Sequence, residues 1–235
     1  MTNLIAAAVV FVLLHRLISG TRLRDAIVAL IGEGVYTGLF SLASVASLIW
    51  LGVAFGAARG GPGDTVYWMS TGTTRVVQLV IQFVAVLFIV PGLMTRNPTS
   101  VGQGRASEDQ DVVQGMLRIT RHPFLWGVAI WAGGHLLVDG DVACLVFFGA
   151  FLVLALSGTV SVDAKRQRAF GATWREFAQK TSNVPFGAIA GGRQSLSVQE
   201  IGLLRLGAAV VVYLFLIGAH HHIFGVFVLQ QGAGL

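Results

Sequence analysis

The sequence predicts an all-α, polytopic transmembrane helical bundle of about six helices. It forms a single domain over residues 1–235, with both termini outside and short amphipathic helices on the cytoplasmic side. Three observations predict it. Apolar residues make up 54% of the 235-residue chain and charged ones 11%, against about a quarter charged in soluble domains, and mean hydropathy is +0.74. Uncharged stretches run over 1–15, 34–58, 76–95, 122–138, 142–162 and 206–235, where about 20 apolar residues suffice to cross a bilayer core. Basic residues then alternate between the intervening loops. With the N-terminus outside, thirteen Lys and Arg fall in inside loops, only Arg59 and Arg75 fall outside, and Arg205 sits at an inside edge. A multi-pass membrane protein follows as the expectation, with membrane lipids as its surroundings.

The first span has no basic region before it and no small-residue cleavage site after it, so it reads as a retained helix. Residues 21–33 read as an interfacial amphipathic helix, with Leu23, Ile27, Leu30 and Ile31 at helical spacing. The second span leads to a Gly-rich outside loop, Arg59-Gly-Gly-Pro-Gly-Asp, and the third carries Pro91, a kink that neighbouring helices can absorb. Residues 97–111 are polar and read as a mobile, solvated connector.

The fourth span opens with His122-Pro123: proline suits the first helical turn, where its missing N–H had no partner, which makes His122 the cap. Cys144, near the outer end of the fifth span, reads as a small buried hydrophobe, and a single cysteine excludes an internal disulfide. Residues 163–180 read as a second amphipathic helix with Phe170, Trp174 and Phe177 on one face, ended by Asn183-Val-Pro-Phe. A sequence pI of 10.1 follows from the basic inside loops and their anionic lipid surroundings, which makes nucleic acid an unlikely partner.

Two places on the fourth span carry chemistry. At its start, Arg118 and Arg121 flank the positive helix end beside His122, a place suited to a carboxylate, a phosphate or a lipid headgroup, or else an interfacial anchor. Further along, Trp131 and His135 lie four residues apart on one face, and Gly127, Gly133 and Gly134 leave room for a close helix or a flat ligand. A histidine in lipid is costly unless paired or metal-bound, so His135 is a functional-site candidate.

His122 and His135, thirteen residues apart, are separated by about 20 Å of helix and cannot share a ligand. His220 on the sixth span should lie at the depth of His135, whereas His15 should lie nearer the depth of His122. Consecutive residues of His220-His-His point about 100° apart and cannot converge on one ion. Glu33 and Asp163 read as salt-bridge partners of the inside arginines.

Arg118-Ile-Thr-Arg-His-Pro-Phe-Leu-Trp-Gly, continuing through Trp131 and His135 to Asp141, resembles the NnrU family. So do His15, Arg24, Gly32-Glu33, Tyr36 and Leu39-Phe-Ser-Leu near the start, Phe170-Gly-Ala-Thr-Trp to Ser182-Asn-Val-Pro-Phe, and the late Phe224-Gly-Val. The resemblance implies a bacterial membrane protein that supports denitrification, with the nitrite and nitric oxide reductase system as partner.

It also implies kinship with the 15-cis-zeta-carotene isomerases, haem b enzymes that act on a lipid-soluble polyene. By that likeness His15 and His135 match proposed haem ligands, and a cysteine of the isomerases falls at Ala132. The expected haem b site is therefore His135 with His15 or His220 as rival partners and Trp131 alongside. His122, Arg118 and Arg121 are the further cofactor-binding residues.

Three functions compete: a haem protein supporting denitrification, a haem-dependent polyene isomerase, and a third. The Arg-His-Pro and Phe170-Gly pattern also resembles the isoprenylcysteine carboxyl methyltransferases, which implies S-adenosylmethionine at the cytoplasmic edge. That family's paired glutamates before the Phe-Gly are replaced here by Asp163 alone.

Overall fold

A computed structural model describes residues 1–18, 21–109 and 111–228, and it is helical as expected. Helix α1 (Thr2–Leu13) passes into a π-helical turn, Leu14–Ile18, and α2 (Arg22–Ile31) sets off at 75° to them. Next come α3 (Glu33–Ala58), strand β1 (Val66–Met69), α4 (Gly72–Met94) and a 3-10 turn at Gly104–Glu108. Short α5 (Met116–Ile119) precedes α6 (Pro123–Val138), strand β2 (Asp139–Asp141) and the long α7 (Val142–Lys180). Short α8 (Gly187–Ala190) and α9 (Val198–Ile201) lead to α10 (Leu203–Phe224). The end of the sixth expected span, residues 229–235, lies outside the described residues.

Among the described residues four helices, α3, α4, α7 and α10, are long and apolar enough to cross a membrane, α1 with α2 forms a bent pair that could supply a fifth span, and α6 is shorter but apolar. They pack in a row: α3 on α1, α1 on α7, α7 on α6, α6 on α4 and α4 on α10. The outer members present apolar side chains that nothing in the protein covers, such as Leu42, Val53 and Phe215. That surface is the expected face toward lipid, since soluble monomers rarely expose large apolar patches.

Small residues set the tightest contact. A Cβ at Gly127 would lie 2.5 Å from Ile89 Cγ1 and one at Gly134 2.5 Å from Gln78 Oε1, so both glycines let α4 approach, while Gly133 faces open space. The expected room is thus taken by a helix at two glycines and left free at one.

The two ends of the bundle differ. At one, β1 pairs antiparallel with β2, Arg59 bridges to Asp139 at 3.0 Å, and Asp64 accepts from the Ala143 N–H at 2.8 Å. Cys144 is buried there, as expected. At the other, basic end, the 97–109 segment is docked at its points of contact and exposed between them, with Val101 to Gln103 facing outward. Asn97 is buried and donates to the Arg121 carbonyl at 3.2 Å, and Gly104, Ala106 and Ser107 are covered.

The expected second amphipathic helix starts later than the sequence suggests. Residues 163–170 continue α7, the helical path breaks at Gly171 (φ 52°, ψ −114°), a conformation that suits a residue without Cβ, and a second helical stretch then runs to Lys180. The expected aromatic face is there: Trp174 and Phe177 are buried with Leu117, and Phe170 packs beside them.

Candidate functional site

Helix α6 carries both sites, one at each end. Near its end, His135 is gripped by neighbours on three sides. Its Nδ1 lies 3.0 Å from the carbonyl oxygen of Trp131, one turn earlier, and its ring stacks on Phe148 of α7 at 4.4 Å and 14°. From α4, Gln82 donates to the same carbonyl at 3.1 Å and lies 3.3 Å from Nδ1. The carbonyl only accepts and the Gln82 amide nitrogen only donates, so in the tautomer that carries its proton on Nδ1 the imidazole donates to the Trp131 carbonyl and Gln82 bonds that carbonyl alone. Nε2 then keeps its lone pair, with no hydrogen bond among the described residues.

That is the arrangement of a metal-ligating histidine, whose second ring nitrogen is held by a carbonyl or carboxylate. Nε2 is thereby left for a ligand, with Trp131 and Phe148 against the ring and Phe151 against Trp131.

His15 repeats the pattern. Its Nδ1 lies 2.8 Å from the Phe11 carbonyl and its ring sits between Phe11 and Phe40, within the π-helical turn. A run of rings, His15–Phe11–Phe151–Trp131–His135, joins the two histidines at centroid steps of 4.7, 5.1, 5.3 and 5.2 Å.

No direct contact joins the two imidazoles among the described residues. Helix α7 stands between their helices, with Arg16 bonded to the Ser157 carbonyl and His135 stacked on Phe148, nine residues or about 13 Å further along. His220 lies on α10, beyond α4, with Nδ1 at 2.9 Å from the Val226 carbonyl. The structure thus joins Trp131 to His135 and leaves His15 and His220 on separate helices.

At the start of α6, His122 is the cap and Pro123 the first helical residue, as the sequence predicts. The side chains converge on Asp163 of α7. Arg121 grips it with Nε at 2.9 Å and a terminal nitrogen at 2.6 Å, His122 Nε2 lies at 2.7 Å, and Asn183 donates at 3.2 Å.

Burial alone would raise the Asp163 carboxyl, but the His122 and Arg121 hydrogen bonds hold it well below the usual carboxylate range. Burial pushes the His122 imidazole down, toward its neutral form, against the pull of Asp163. Its Nδ1 is buried without a partner among the described residues.

Arg118 is likewise committed, to Glu200 at 2.6 and 2.8 Å, with the Gly115 N–H adding 2.9 Å. The arginines expected at an anion site are therefore paired with protein carboxylates, and Glu33 bonds Arg24, as read for the acidic residues.

Gln82, Gln78, Phe148, Asn183 and Glu200 were not singled out by sequence reasoning. A signal existed for two of them: Gln78 and Gln82 lie four apart in an otherwise apolar span, and so share a face.

Fold and site together define a helical membrane protein with a ligand-ready histidine between packed helices and a separate polar clamp at its basic end. The chain belongs to the NnrU family, whose model matches residues 3–228. It is similar to the chloroplastic 15-cis-zeta-carotene isomerases of Zea mays (28% identical over 191 residues, 80% of this chain and 50% of the relative). The Arabidopsis thaliana enzyme of that name is 28% identical over 176 residues, 74% of this chain and 47% of the relative. The chain thus spans about half the length of these relatives. No solved structure matches it.

Proposed function

We propose that this protein is a membrane-embedded isomerase that interconverts cis and trans double bonds of a lipid-soluble polyene, with haem b held by His135. The observation that carries this reading is the likeness to 15-cis-zeta-carotene isomerases over 80% of the chain. It is supported by the free Nε2 of a histidine whose other nitrogen is already engaged.

In this reading His135 would hold the haem through Nε2, the Trp131 carbonyl, itself bonded by Gln82, orients the ring, and Phe148 stacks on it. Bound haem supplies a Lewis-acidic iron that polarises a π-system. Apolar, uncovered helix faces let a hydrophobic substrate arrive sideways from the bilayer.

Ala132, fully buried beside Phe148, stands where the resemblance places an isomerase cysteine, which favours a second reading: a haem protein supporting denitrification. Expression in a host that accumulates 15-cis-zeta-carotene, with pigments separated chromatographically, tests the first. Conversion that is lost in H135A is the expected result. Haem-loaded protein that leaves the pigment unchanged overturns it and leaves the second reading.

A further inference from the structure

Helix α4 ends at Met94, and its last turn shares a cleft with residues of the 3-10 turn that follows. The cleft holds about 460 Å³, above the roughly 300 Å³ at which small-molecule sites begin. Its lining has two characters. Leu93, Met94 and Ala106 are apolar, whereas Arg96, Arg105 and Gln103 bring two cations and an amide, and no carboxylate among the described residues lines it.

These donors are only partly used. Arg96 gives one terminal nitrogen to Asp109 at 2.8 Å, which leaves the rest of its guanidinium for another acceptor. Arg105 is exposed and has no hydrogen bond or ion pair among the described residues. Gln103 accepts from the Asn97 N–H at 2.8 Å through its amide oxygen, so its NH2 group remains to donate.

The backbone that presents them is held in place. A Cβ at Gly104 would collide with Arg166 and Phe170 of α7, and Arg166 donates to the Ser100 carbonyl at 2.6 Å, so the turn carrying Arg105 is pressed onto α7. The Ser107 hydroxyl closes that turn on the Gly104 carbonyl at 3.0 Å. A backbone already ordered loses little freedom when a ligand arrives.

Position selects the occupant. Leu93 is 64% exposed and Met94 43%, at the end of a helix long and apolar enough to cross a membrane. Uncovered apolar side chains there meet acyl chains, and the cations just beyond them meet headgroups, where basic pockets at a membrane edge take anionic lipids. The planar arginine fork suits a phosphate in particular. We propose that this cleft binds an anionic phospholipid, its phosphate on Arg105 and Arg96 and its acyl chains against Leu93 and Met94.

The test uses the full chain, delipidated in neutral detergent, with unfolding followed by tryptophan fluorescence and each shift measured against the same protein without lipid. Short-chain phosphatidylglycerol should raise Tm by several degrees, and phosphatidylcholine, whose phosphate carries its own cation, far less. Arg105→Gln should lose most of the shift, and its exposed, partnerless side chain makes it safe for folding. Arg96→Gln, which also frees Asp109, should reduce the shift as a second variant. Arg168→Gln, exposed on α7 outside the cleft, should keep it. A full phosphatidylglycerol shift in both cleft variants, or none in the unaltered protein, overturns the site. An equal shift from inorganic phosphate overturns the lipid as its occupant.

Discussion

His122 Nε2 and Asp163 Oδ1 lie 2.7 Å apart, fastening the first turn of α6 to α7 where both leave the apolar layer. Asp163 is also the acceptor for Arg121 and Asn183, so one carboxylate holds three separate segments together. Asp163→Asn keeps the shape but removes the charge, leaving the Arg121 guanidinium without its counter-ion and the buried His122 imidazole with a weaker acceptor. It should cost about 3 kcal/mol, the low end for breaking a buried pair. Unfolding in a denaturant series checks this, and an unchanged midpoint would mean that the clamp is not holding α6.

The Arg118–Glu200 pair should make stability depend on pH. The hydrogen bond from Arg118, then that from the Gly115 N–H, hold the Glu200 carboxyl below its ordinary value. A depressed carboxyl adds stability that is fully present above the unfolded value of about 4.3 and is lost as pH falls through the lower folded value. The unaltered protein should therefore lose more Tm than Glu200→Gln on acidification through this window. Parallel losses in the two proteins would sink the assignment.

How much of this was legible in the sequence depended on whether the determinant was local. Pro123 and its neighbour fix the start of α6 by backbone chemistry alone, and the uncharged runs mark the long apolar helices. Hydropathy ended the fifth span at Val162, yet the helix runs on to the break at Gly171, and a further helical stretch reaches Lys180 with its aromatic face covered by partners such as Leu117. Asn97 looked like a solvated loop residue. Its partner is the Arg121 carbonyl, 24 positions away, and no periodicity reports such a bond. The ring sequence from His15 to His135 was hidden for the same reason, since Phe151 on α7 supplies its middle.

The glycines of α6 should separate into two kinds. A Cβ at Gly127 would lie 2.5 Å from Ile89 Cγ1 and 2.9 Å from the Ile89 nitrogen, a backbone atom that cannot swing aside. Gly127→Ala should then cost about 1–3 kcal/mol as an overpacked contact. Gly133→Ala meets nothing within 4 Å and should be neutral or slightly stabilising. Comparing the two unfolding midpoints tests the packing of α6 on α4, and equal midpoints would contradict it.

Gln82 offers the sharpest test of the site, because it touches the Trp131 carbonyl and the His135 ring from a different helix. Gln82→Leu removes the amide at little change in volume and leaves His135 Nδ1 still bonded to its own helix. If His135 ligates iron, the ring is then less firmly oriented, and affinity for haem should fall about 10–100-fold, as for other partners of ligating histidines. Gln78→Leu, one turn away, loses an amide oxygen that has no hydrogen-bond partner among the described residues, and it should bind haem as the unaltered protein does. Haem titration followed by absorbance reads both variants. Equal affinities in Gln82→Leu and the unaltered protein would show that the ring's orientation owes nothing to α4. The Trp131 carbonyl would then be the sole support that His135 needs.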